Sequence, residues 1–241
     1  MANHLCRVLL HPDRYPTNEH YPFNLSLFRK TAQVDLTGPV TLFVGENGTG
    51  KSTLLEAIAR KCGIHIWQEE RTRYRYNPYE HVLAQCISVT WRDGTVPGSF
   101  FGSGIFQDFA RLLDEWASAD PGQLKYFGGK SLMEQSHGQS LMAYFRARYK
   151  LRGLYLLDEP ETALSPRTQL ELLGLLSAAC EAGNAQFIIA THSPILLSCP
   201  EATIYSFDEE SIEPIEYEAT DHYRVYRDFM AGHTACGERQ G

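Results

Sequence analysis

Residues 40–58, VTLFVGENGTGKSTLLEAI, decide the fold of this 241-residue chain. An apolar run at 40–44 ends at a glycine, passes through a short polar loop and resumes at Lys51 with helical spacing. The loop fits the pattern G-x-x-x-x-G-K-[ST], in which glycines let backbone N–H groups point at phosphate. The sequence therefore predicts a strand, a phosphate loop (45–52) and a helix whose positive dipole end faces the same phosphates.

Each fixed position of the phosphate loop has a chemical task. Lys51 is expected to reach the β- and γ-phosphates, and the Ser52 hydroxyl is expected to ligate Mg²⁺. The alternative is a Gly-rich turn that matches by chance, but the strand before it and the helix after it favour the phosphate loop. The residues expected to contact the nucleotide here are Gly45, Glu46, Asn47, Gly48, Thr49, Gly50, Lys51, Ser52 and Thr53.

Length and composition limit the remaining possibilities. The chain is long enough for one buried α/β domain with a small inserted lobe. It has no run of about 18 apolar residues and no secretory leader pattern, so we expect a cytosolic protein. A net charge of −7 argues against a protein coated in positive charge for nucleic-acid binding. The six cysteines form no C-x-x-C pair and are expected to be reduced.

The order of elements predicts the fold class. Strands are expected at 5–10, 33–36, 40–44, 82–91, 151–157, 186–190 and 202–207, and helices after Lys51, at 105–117, 139–150 and 166–182, and from Asp221. Residues 97–104 are expected to form a flexible joint. This alternation predicts an α/β fold with a mostly parallel sheet, helices on both faces, an antiparallel β edge and a small helical lobe. Together with the phosphate-loop motif at 45–52, it predicts a P-loop NTPase.

We expect a single domain over 1–241. The nucleotide-binding core would comprise about 1–95 and 151–220. The helical lobe would span about 96–150, and 221–241 would form a C-terminal helix and tail.

Two adjacent carboxylates end the apolar strand 154–157. Because the carboxyl end of a parallel strand beside a phosphate loop is where the nucleotide's Mg²⁺ lies, Asp158 is expected to be the metal residue. Glu159 is expected to polarise the attacking water as general base. The alternative is an acidic pair at a helix start, before Pro160.

A second strand end carries a histidine. His192 follows the apolar strand 186–190 and is expected to contact the γ-phosphate. A lone histidine at a strand end is usually structural. Here it is a further polar group at the same edge of one sheet, which favours the functional interpretation.

A Ser/Gly turn at 136–140 opens the helix that follows it. The Ser136 hydroxyl and the free N–H groups of a helix start would form a second phosphate-binding end. Plain helix capping is the alternative. Gly138 and Gln139 complete this turn.

Two further features leave their roles open. Tyr15, Tyr21 or Phe23 could stack on adenine, or these rings could pack beneath the Pro-rich connection. On a strand, alternation at 71–76 would place Arg71, Arg73 and Arg75 on one face. That face would meet phosphate or an acidic partner, or simply be solvated.

In chain order, these motifs resemble the Walker A, signature, Walker B and switch-histidine motifs of ABC-type ATPases. The resemblance covers 40–194. The segments VGENGTGKSTLLEAIA, EQSHGQS, LYLLDEPETALSP and QFIIATHSPILL are similar to small stand-alone bacterial predicted AAA-like ATPases related to the SMC/RecF branch.

This resemblance implies an ABC-ATPase-like fold, ATP as the nucleotide, Mg²⁺, and hydrolysis to ADP and phosphate. It also implies a head-to-tail homodimer that sandwiches two ATP molecules. Ser136 and Gly138 of one copy would complete the γ-phosphate site built in the other copy by Lys51, Asp158, Glu159 and His192. Hydrolysis would then let the two copies separate.

The chain also departs from the family pattern. His137 replaces the first glycine of L-S-G-G-Q, and Ser165 stands where an aspartate is common. The glutamine expected near the joint has no clear equivalent, because that joint offers only Ser103, with Gln85 and Gln107 to either side.

Three functions remain open at this point. The favoured one is a cytosolic ATP hydrolase that uses dimerisation as a switch, with nucleic acid or a soluble protein as effector. The second is the nucleotide-binding subunit of a transporter, with a membrane permease as partner, which the departures from the family pattern disfavour. The third is a slow ATP sensor, which the complete set of catalytic side chains disfavours.

Overall fold

The computed structural model describes residues 3–67, 77–102, 111–117, 122 and 137–232. Its strands are β1 (Leu5–Leu10), β2 (Gln33–Asp35), β3 (Val40–Val44), β4 (Ile87–Trp91), β5 (Gly98–Gly102), β6 (Gly153–Asp158), β7 (Ala185–Ala190), β8 (Thr203–Ser206) and β9 (Glu213–Pro214). Its helices are α1 (Ser26–Lys30), α2 (Lys51–Lys61), α3 (111–117), α4 (His137–Arg148), α5 (Pro166–Glu181), α6 (Pro194–Leu197) and α7 (Asp221–Met230).

A six-stranded sheet forms the centre of the molecule. Its strand order is β5-β6-β7-β3-β8-β9, and every pairing is parallel except that of the short edge strand β9. The strand that carries the phosphate loop, β3, therefore lies between β7 and β8. Since every residue of β3 is buried, including Thr41, this strand is covered on both faces, as parallel strands require.

A separate antiparallel sheet, β2-β1-β4, forms the predicted edge. The fully buried Gln186 of β7 joins the two sheets, because its side chain accepts hydrogen bonds from the backbone N–H groups of His4 and Leu5 at 2.8 and 2.7 Å. Its amide also donates to the carbonyl of Leu5 at 2.8 Å. The backbone polar groups at the buried end of β1 thus find their hydrogen-bond partners in a side chain of the neighbouring sheet.

Alternate residues along the central strands pack on opposite faces of the sheet. On β7, Ile188 and Ala190 join a core that contains α2 and the antiparallel sheet. Phe187 and Ile189 join a second core with α4, α5 and α6. The predicted mostly parallel sheet with helices on both faces is thereby confirmed.

Two expectations about local structure are wrong. Residues 98–102 are not a flexible joint but the edge strand β5 of the central sheet, with Phe100 buried on one face and Phe101 on the other. Gly98 permits this pairing, since a side chain there would come within 2.6 Å of the Leu154 carbonyl. The predicted strand 82–91 begins only at Ile87, after a short 3-10 turn.

The other element predictions fall within one or two residues of the observed bounds. Residues 111–117 of the helix predicted at 105–117 are helical, and its earlier part lies outside the described residues. Among the described ranges, no helix is both long enough and apolar enough to cross a bilayer.

Candidate functional site

The carboxyl ends of four parallel strands meet at one edge of the central sheet. Asp158 at the end of β6 and Phe43 near the end of β3 both align with Ala190, the last residue of β7. The phosphate loop, the two carboxylates and His192 therefore lie at the same edge. In open α/β sheets this edge is where ligands bind.

Glycine backbone conformations shape the phosphate loop. Gly50 has a φ of 104°, and a side chain there would come within 2.8 Å of the Phe28 ring. Gly48 has a φ of 84°. Both values lie in the left-handed region that glycine adopts readily. The turn delivers the chain into α2 at Lys51, so that the helix N-terminus faces the loop.

Lys51 is 4% exposed and folds over the loop. Its ammonium group donates to the carbonyls of Gly45 at 2.6 Å and Glu46 at 2.8 Å. Burial lowers the pKa of Lys51, and the nearby carboxylate of Glu159, followed by that of Asp208, opposes this shift. The side chain that sequence analysis assigned to phosphate is thus held over the cradle.

Asp208 is a loop contact that sequence analysis missed. It lies just beyond β8, and its carboxylate accepts a hydrogen bond from the backbone N–H of Glu46 at 2.7 Å. This bond fixes the start of the phosphate loop against the neighbouring strand end. The position of Asp208 after a buried strand was a possible signal, but no local motif marks it.

Ser52 and Asp158, the two residues expected to bind the metal, are in direct contact. The Ser52 hydroxyl donates to Oδ1 of Asp158 at 2.8 Å. Burial raises the pKa of Asp158 to about 7, and the hydrogen bond from Ser52 opposes this shift. A hydroxyl and a carboxylate side by side are the oxygen ligands that Mg²⁺ prefers. This donor set therefore fits the ion.

Glu159 is held in an unusual backbone conformation. Its φ is 47°, which is uncommon for a residue other than glycine. Its backbone N–H donates to the carbonyl of Ala190 at 2.9 Å, and its own carbonyl accepts from the Thr162 hydroxyl at 2.9 Å. Residues held in sparsely populated conformations cluster at active sites. The side chain remains partly exposed, and its Oε1 lies 3.6 Å from Nε2 of His192.

Two residues that sequence analysis did not select hold His192 in place. Oε1 of Glu161 accepts a hydrogen bond from the His192 backbone N–H at 2.6 Å, and burial raises the pKa of Glu161. On the other side, Nδ1 of His192 lies 3.0 Å from Nε2 of His222 in α7. We call Glu159, Glu161, His192 and His222 the switch corner. Since His222 lies thirty positions after His192, no local pattern could have identified it.

The signature-like turn is only partly described. Ser136 lies outside the described residues, whereas Gly138 and Gln139 occupy the first turn of α4. A side chain at Gly138 would lie 3.3 Å from the carbonyl of Ala163, in the 3-10 turn that follows Glu159. The start of α4 is therefore packed against the segment that carries the general-base candidate of the same copy.

Ser165, where the family pattern favours aspartate, has a structural task. Its hydroxyl accepts from the backbone N–H of Thr168 at 3.3 Å and so caps the N-terminus of α5. Of the candidates for the glutamine near the joint, Gln85 is exposed on the 3-10 turn before β4. Ser103 and Gln107 lie outside the described residues.

The three aromatic rings considered for stacking on adenine differ in exposure. Phe23 is fully buried, and Tyr15 packs on it at 4.7 Å between ring centroids while donating to the Phe28 carbonyl. Tyr21 is 41% exposed and hydrogen-bonds through its hydroxyl to Thr53, directly after the phosphate loop. Tyr21 is therefore the ring of the three that is free to meet a base. Arg71, Arg73 and Arg75 lie outside the described residues.

Two family models match separate parts of the chain. The model described as "AAA domain, putative AbiEii toxin, Type IV TA system" matches residues 139–198, and a model described as "AAA domain" matches residues 23–62. The match over 23–62 contains the phosphate loop. The match over 139–198 contains Asp158, Glu159 and His192.

Curated relatives match about two thirds of the chain. The hemin import ATP-binding protein HmuV of Bradyrhizobium diazoefficiens is 31% identical over 64% of this chain and 63% of its own length, slightly under two thirds. The thiamine import ATP-binding protein ThiQ of Ruegeria is 30% identical over 68% of this chain and 74% of that protein. ThiQ of Cereibacter sphaeroides is 30% identical over 63% of this chain and 69% of that protein.

Solved structures agree with the fold. A metal-chelate type ABC transporter in an inward-facing conformation matches with a TM-score of 0.53 at 17% identity, covering 93% of this chain and 88% of the other. The SMC head domain from Thermotoga maritima matches with a TM-score of 0.52 at 16% identity, covering 89% and 100%. The two ThiQ relatives, each 30% identical and matched over 69% and 74% of their length, show that the chain belongs to the ABC-type ATPases.

Proposed function

We propose that this protein binds ATP with Mg²⁺ and hydrolyses it to ADP and phosphate. The observation that carries the proposal is the convergence of Lys51, Ser52, Asp158, Glu159 and His192 at one sheet edge. Phosphoryl transfer depends mainly on positioning and on charge stabilisation from several sides. A buried cation, a metal-binding pair, a carboxylate and an imidazole supply those contributions.

Each side chain has a distinct role in the proposed reaction. Lys51 would move from the loop carbonyls onto the β- and γ-phosphates, while the loop N–H groups bind the β-phosphate. Glu159 would accept a proton from the attacking water, and His192 would donate through Nε2 to a γ-phosphate oxygen. Mg²⁺, held by Ser52 and Asp158, would neutralise charge on the phosphates. Tyr21 would stack on adenine beside Thr53.

We propose further that two copies sandwich two ATP molecules head to tail. Ser136, Gly138 and Gln139 of one copy would contact the γ-phosphate bound by the other. The packing of Gly138 near Ala163 would couple the two sites of such a dimer, because it joins the turn offered to the partner to the segment that follows Glu159. ATP binding in one site would thereby bias the turn presented to the other site, and hydrolysis would release the dimer. The dimer would act as a conformational switch in the cytosol.

The Glu159→Gln variant tests this proposal. The amide cannot accept the proton from water, so turnover is expected to fall about 100- to 10,000-fold while ATP affinity is retained. In size-exclusion chromatography with light scattering, the variant should run as a dimer with ATP and Mg²⁺ and as a monomer with ADP. Glu181→Gln, an exposed change at the end of α5, is the matched control. A Glu159→Gln protein that binds ATP but stays monomeric would overturn the sandwich.

One observation favours a second function. The relatives reported above are named as import ATP-binding proteins, which supports a nucleotide-binding subunit of a transporter. A pull-down with the ATP-held Glu159→Gln protein separates the two functions. Capture of a membrane permease would favour the transporter, and capture of nucleic acid or a soluble protein would favour the free switch. Wild-type protein that binds ATP without measurable turnover would instead point to a slow ATP sensor.

A further inference from the structure

Helix α7 brings a second imidazole to the switch corner. His222 lies in the first turn of α7, and its Nε2 is 3.0 Å from Nδ1 of His192. The ring centroids are 5.2 Å apart. The outer nitrogen atoms, Nε2 of His192 and Nδ1 of His222, are both buried without a hydrogen-bond partner. A 3.0 Å contact between two ring nitrogens requires one proton between them.

The position of His222 is fixed by the same segment that carries His192. The hydroxyl of Thr220, the 1% exposed cap of α7, accepts from the Tyr223 N–H at 3.2 Å. The Tyr217 hydroxyl donates to the carbonyl of Pro194 at 2.9 Å, and its ring packs on Tyr223 at 4.7 Å. The start of α7 is thereby tied to the residues that follow His192, which holds the two imidazoles side by side.

Two proton arrangements satisfy the contact, and they have opposite consequences. If His192 donates from Nδ1, its Nε2 carries a lone pair that points toward Oε1 of Glu159, 3.6 Å away. If His222 donates from Nε2, the proton of His192 lies on Nε2. That N–H then faces the Glu159 carboxylate and is available to donate to a phosphate oxygen. Carboxylate and phosphate oxygens are acceptors only, so the second arrangement is the attractive one.

The charge state of His192 agrees with this choice. Burial lowers the pKa of His192, with the charge of Lys51 and the neighbouring His222 acting in the same direction, while Glu159 opposes them. A neutral imidazole has a single N–H, so its tautomer decides what Nε2 can do.

We infer that His222 is a positioning residue that donates to Nδ1 of His192 and so fixes His192 in the Nε2–H tautomer needed to contact the γ-phosphate. This inference rests on the proposed ATP hydrolysis. It assigns to α7, outside the motifs that carry the chemistry, control over the hydrogen-bonding state of the γ-phosphate sensor. Metal-ligating and catalytic histidines are commonly oriented in this way by the partner of their second nitrogen.

Two substitutions at the same position separate hydrogen bonding from packing. His222→Phe keeps a ring but removes the donor. His222→Gln places an amide nitrogen close to the position of Nε2 and keeps a donor. We expect His222→Phe to lower kcat about 10- to 100-fold with KM for ATP within about 3-fold, and His222→Gln to restore most of kcat. Tyr226→Ala, an exposed change on the same helix, should leave both constants unchanged.

The tautomer itself is measured directly by ¹⁵N NMR of labelled histidine. His192 should show the Nε2–H tautomer in the wild type and in His222→Gln, and a mixture or the Nδ1–H form in His222→Phe. Thermal unfolding of each variant shows whether its fold is intact. Should His222→Phe unfold, the tautomer of His192 in the wild type and the kcat of His222→Gln still decide the matter.

The outcomes distinguish the inference from the function on which it rests. A wild type that binds ATP without hydrolysing it would overturn hydrolysis, while the NMR signal would still report the tautomer. Normal turnover in a folded His222→Phe protein, or an Nδ1–H tautomer of His192 in the wild type, would overturn the role of His222 and leave hydrolysis standing.

Discussion

The phosphate loop and the switch corner lie at the same sheet edge but are built in different ways. The loop uses consecutive residues, and its backbone conformation is set by glycines at positive φ. The corner uses side chains from three separate segments, joined by contacts of 2.6, 3.0 and 3.6 Å. Changes in the backbone of the loop itself should therefore affect the phosphate loop most. The switch corner should also respond to substitutions in segments distant in sequence.

The largest effect is expected where a single side chain serves the whole loop. Lys51→Ala removes the buried cation that we propose reaches the phosphates, so ATP affinity should fall about 100- to 1,000-fold. Isothermal titration calorimetry measures the change. Lys61→Ala, at the exposed end of the same helix, is the control and should bind normally. Unchanged ATP affinity in Lys51→Ala would contradict the assignment of 45–52 as a phosphate-binding loop.

A glycine pair tests whether the backbone controls the loop. Gly50→Ala forces a left-handed residue to carry a side chain 2.8 Å from Phe28, so the free energy of unfolding should fall by about 2 to 3 kcal/mol. Gly174→Ala, in the exposed interior of α5 with open space around it, should instead raise it by about 0.5 to 1 kcal/mol. Urea denaturation gives both values. Equal effects at the two sites would contradict backbone control.

Asp158 connects the two regions, and its titration can be measured without nucleotide. Its pKa of about 7 in the folded chain exceeds its ordinary value near 4, so the native state keeps a proton that the unfolded chain has lost between these pH values. Stability of the ligand-free protein should therefore fall as pH rises from 4 to 7. Asp158→Asn keeps an acceptor for Ser52 but cannot titrate.

Denaturant unfolding of Asp158→Asn tests this assignment in the absence of Mg²⁺. Between pH 5 and pH 8, the free energy of unfolding should fall by about 2 kcal/mol less in the variant than in the wild type. Identical pH profiles in the two proteins would show that Asp158 is ionised throughout this range.

The smallest effect is expected at the supporting carboxyl of the corner. Glu161→Leu removes the acceptor for the His192 backbone N–H, so turnover should slow about 10-fold, with ATP affinity little changed. Glu161→Gln keeps a carbonyl oxygen and should retain turnover within about 3-fold. Steady-state ATPase assays compare the pair. Equal losses in both variants would mean that charge, rather than the hydrogen bond, matters at this position.

Much of the fold was predictable because its patterns are local. The alternation of apolar runs and amphipathic segments located the central strands and α5 to within one or two residues. The failure at β5 has a specific cause. The glycines at both ends of Gly98–Gly102 favour a flexible joint by composition. Pairing with β6 nevertheless makes this segment a strand and buries both of its phenylalanine rings. Only contact with a neighbouring strand reveals that the glycines permit close approach.

The residues of the candidate site likewise fall into two groups, those marked by a local pattern and those placed by contacts distant in sequence. Its motif residues could be selected in advance because each follows a buried strand or starts a helix. Asp208, Glu161 and His222 could not, since each acts by a hydrogen bond to a residue at least thirty positions away. The turn with Ser136 was selected as the start of a helix, and its contact with a second copy is implied by the resemblance to ABC-type ATPases.

The sequence by itself determined the phosphate loop and the set of polar groups at the strand ends. Their geometry follows from consecutive backbone groups and from the rule that parallel strands end at one edge. Only the tertiary structure decided how Lys51 is buried, which carboxylate anchors the loop, and which ring faces His192. Those choices depend on side chains brought within about 3 Å by packing, and such contacts have no period along the chain.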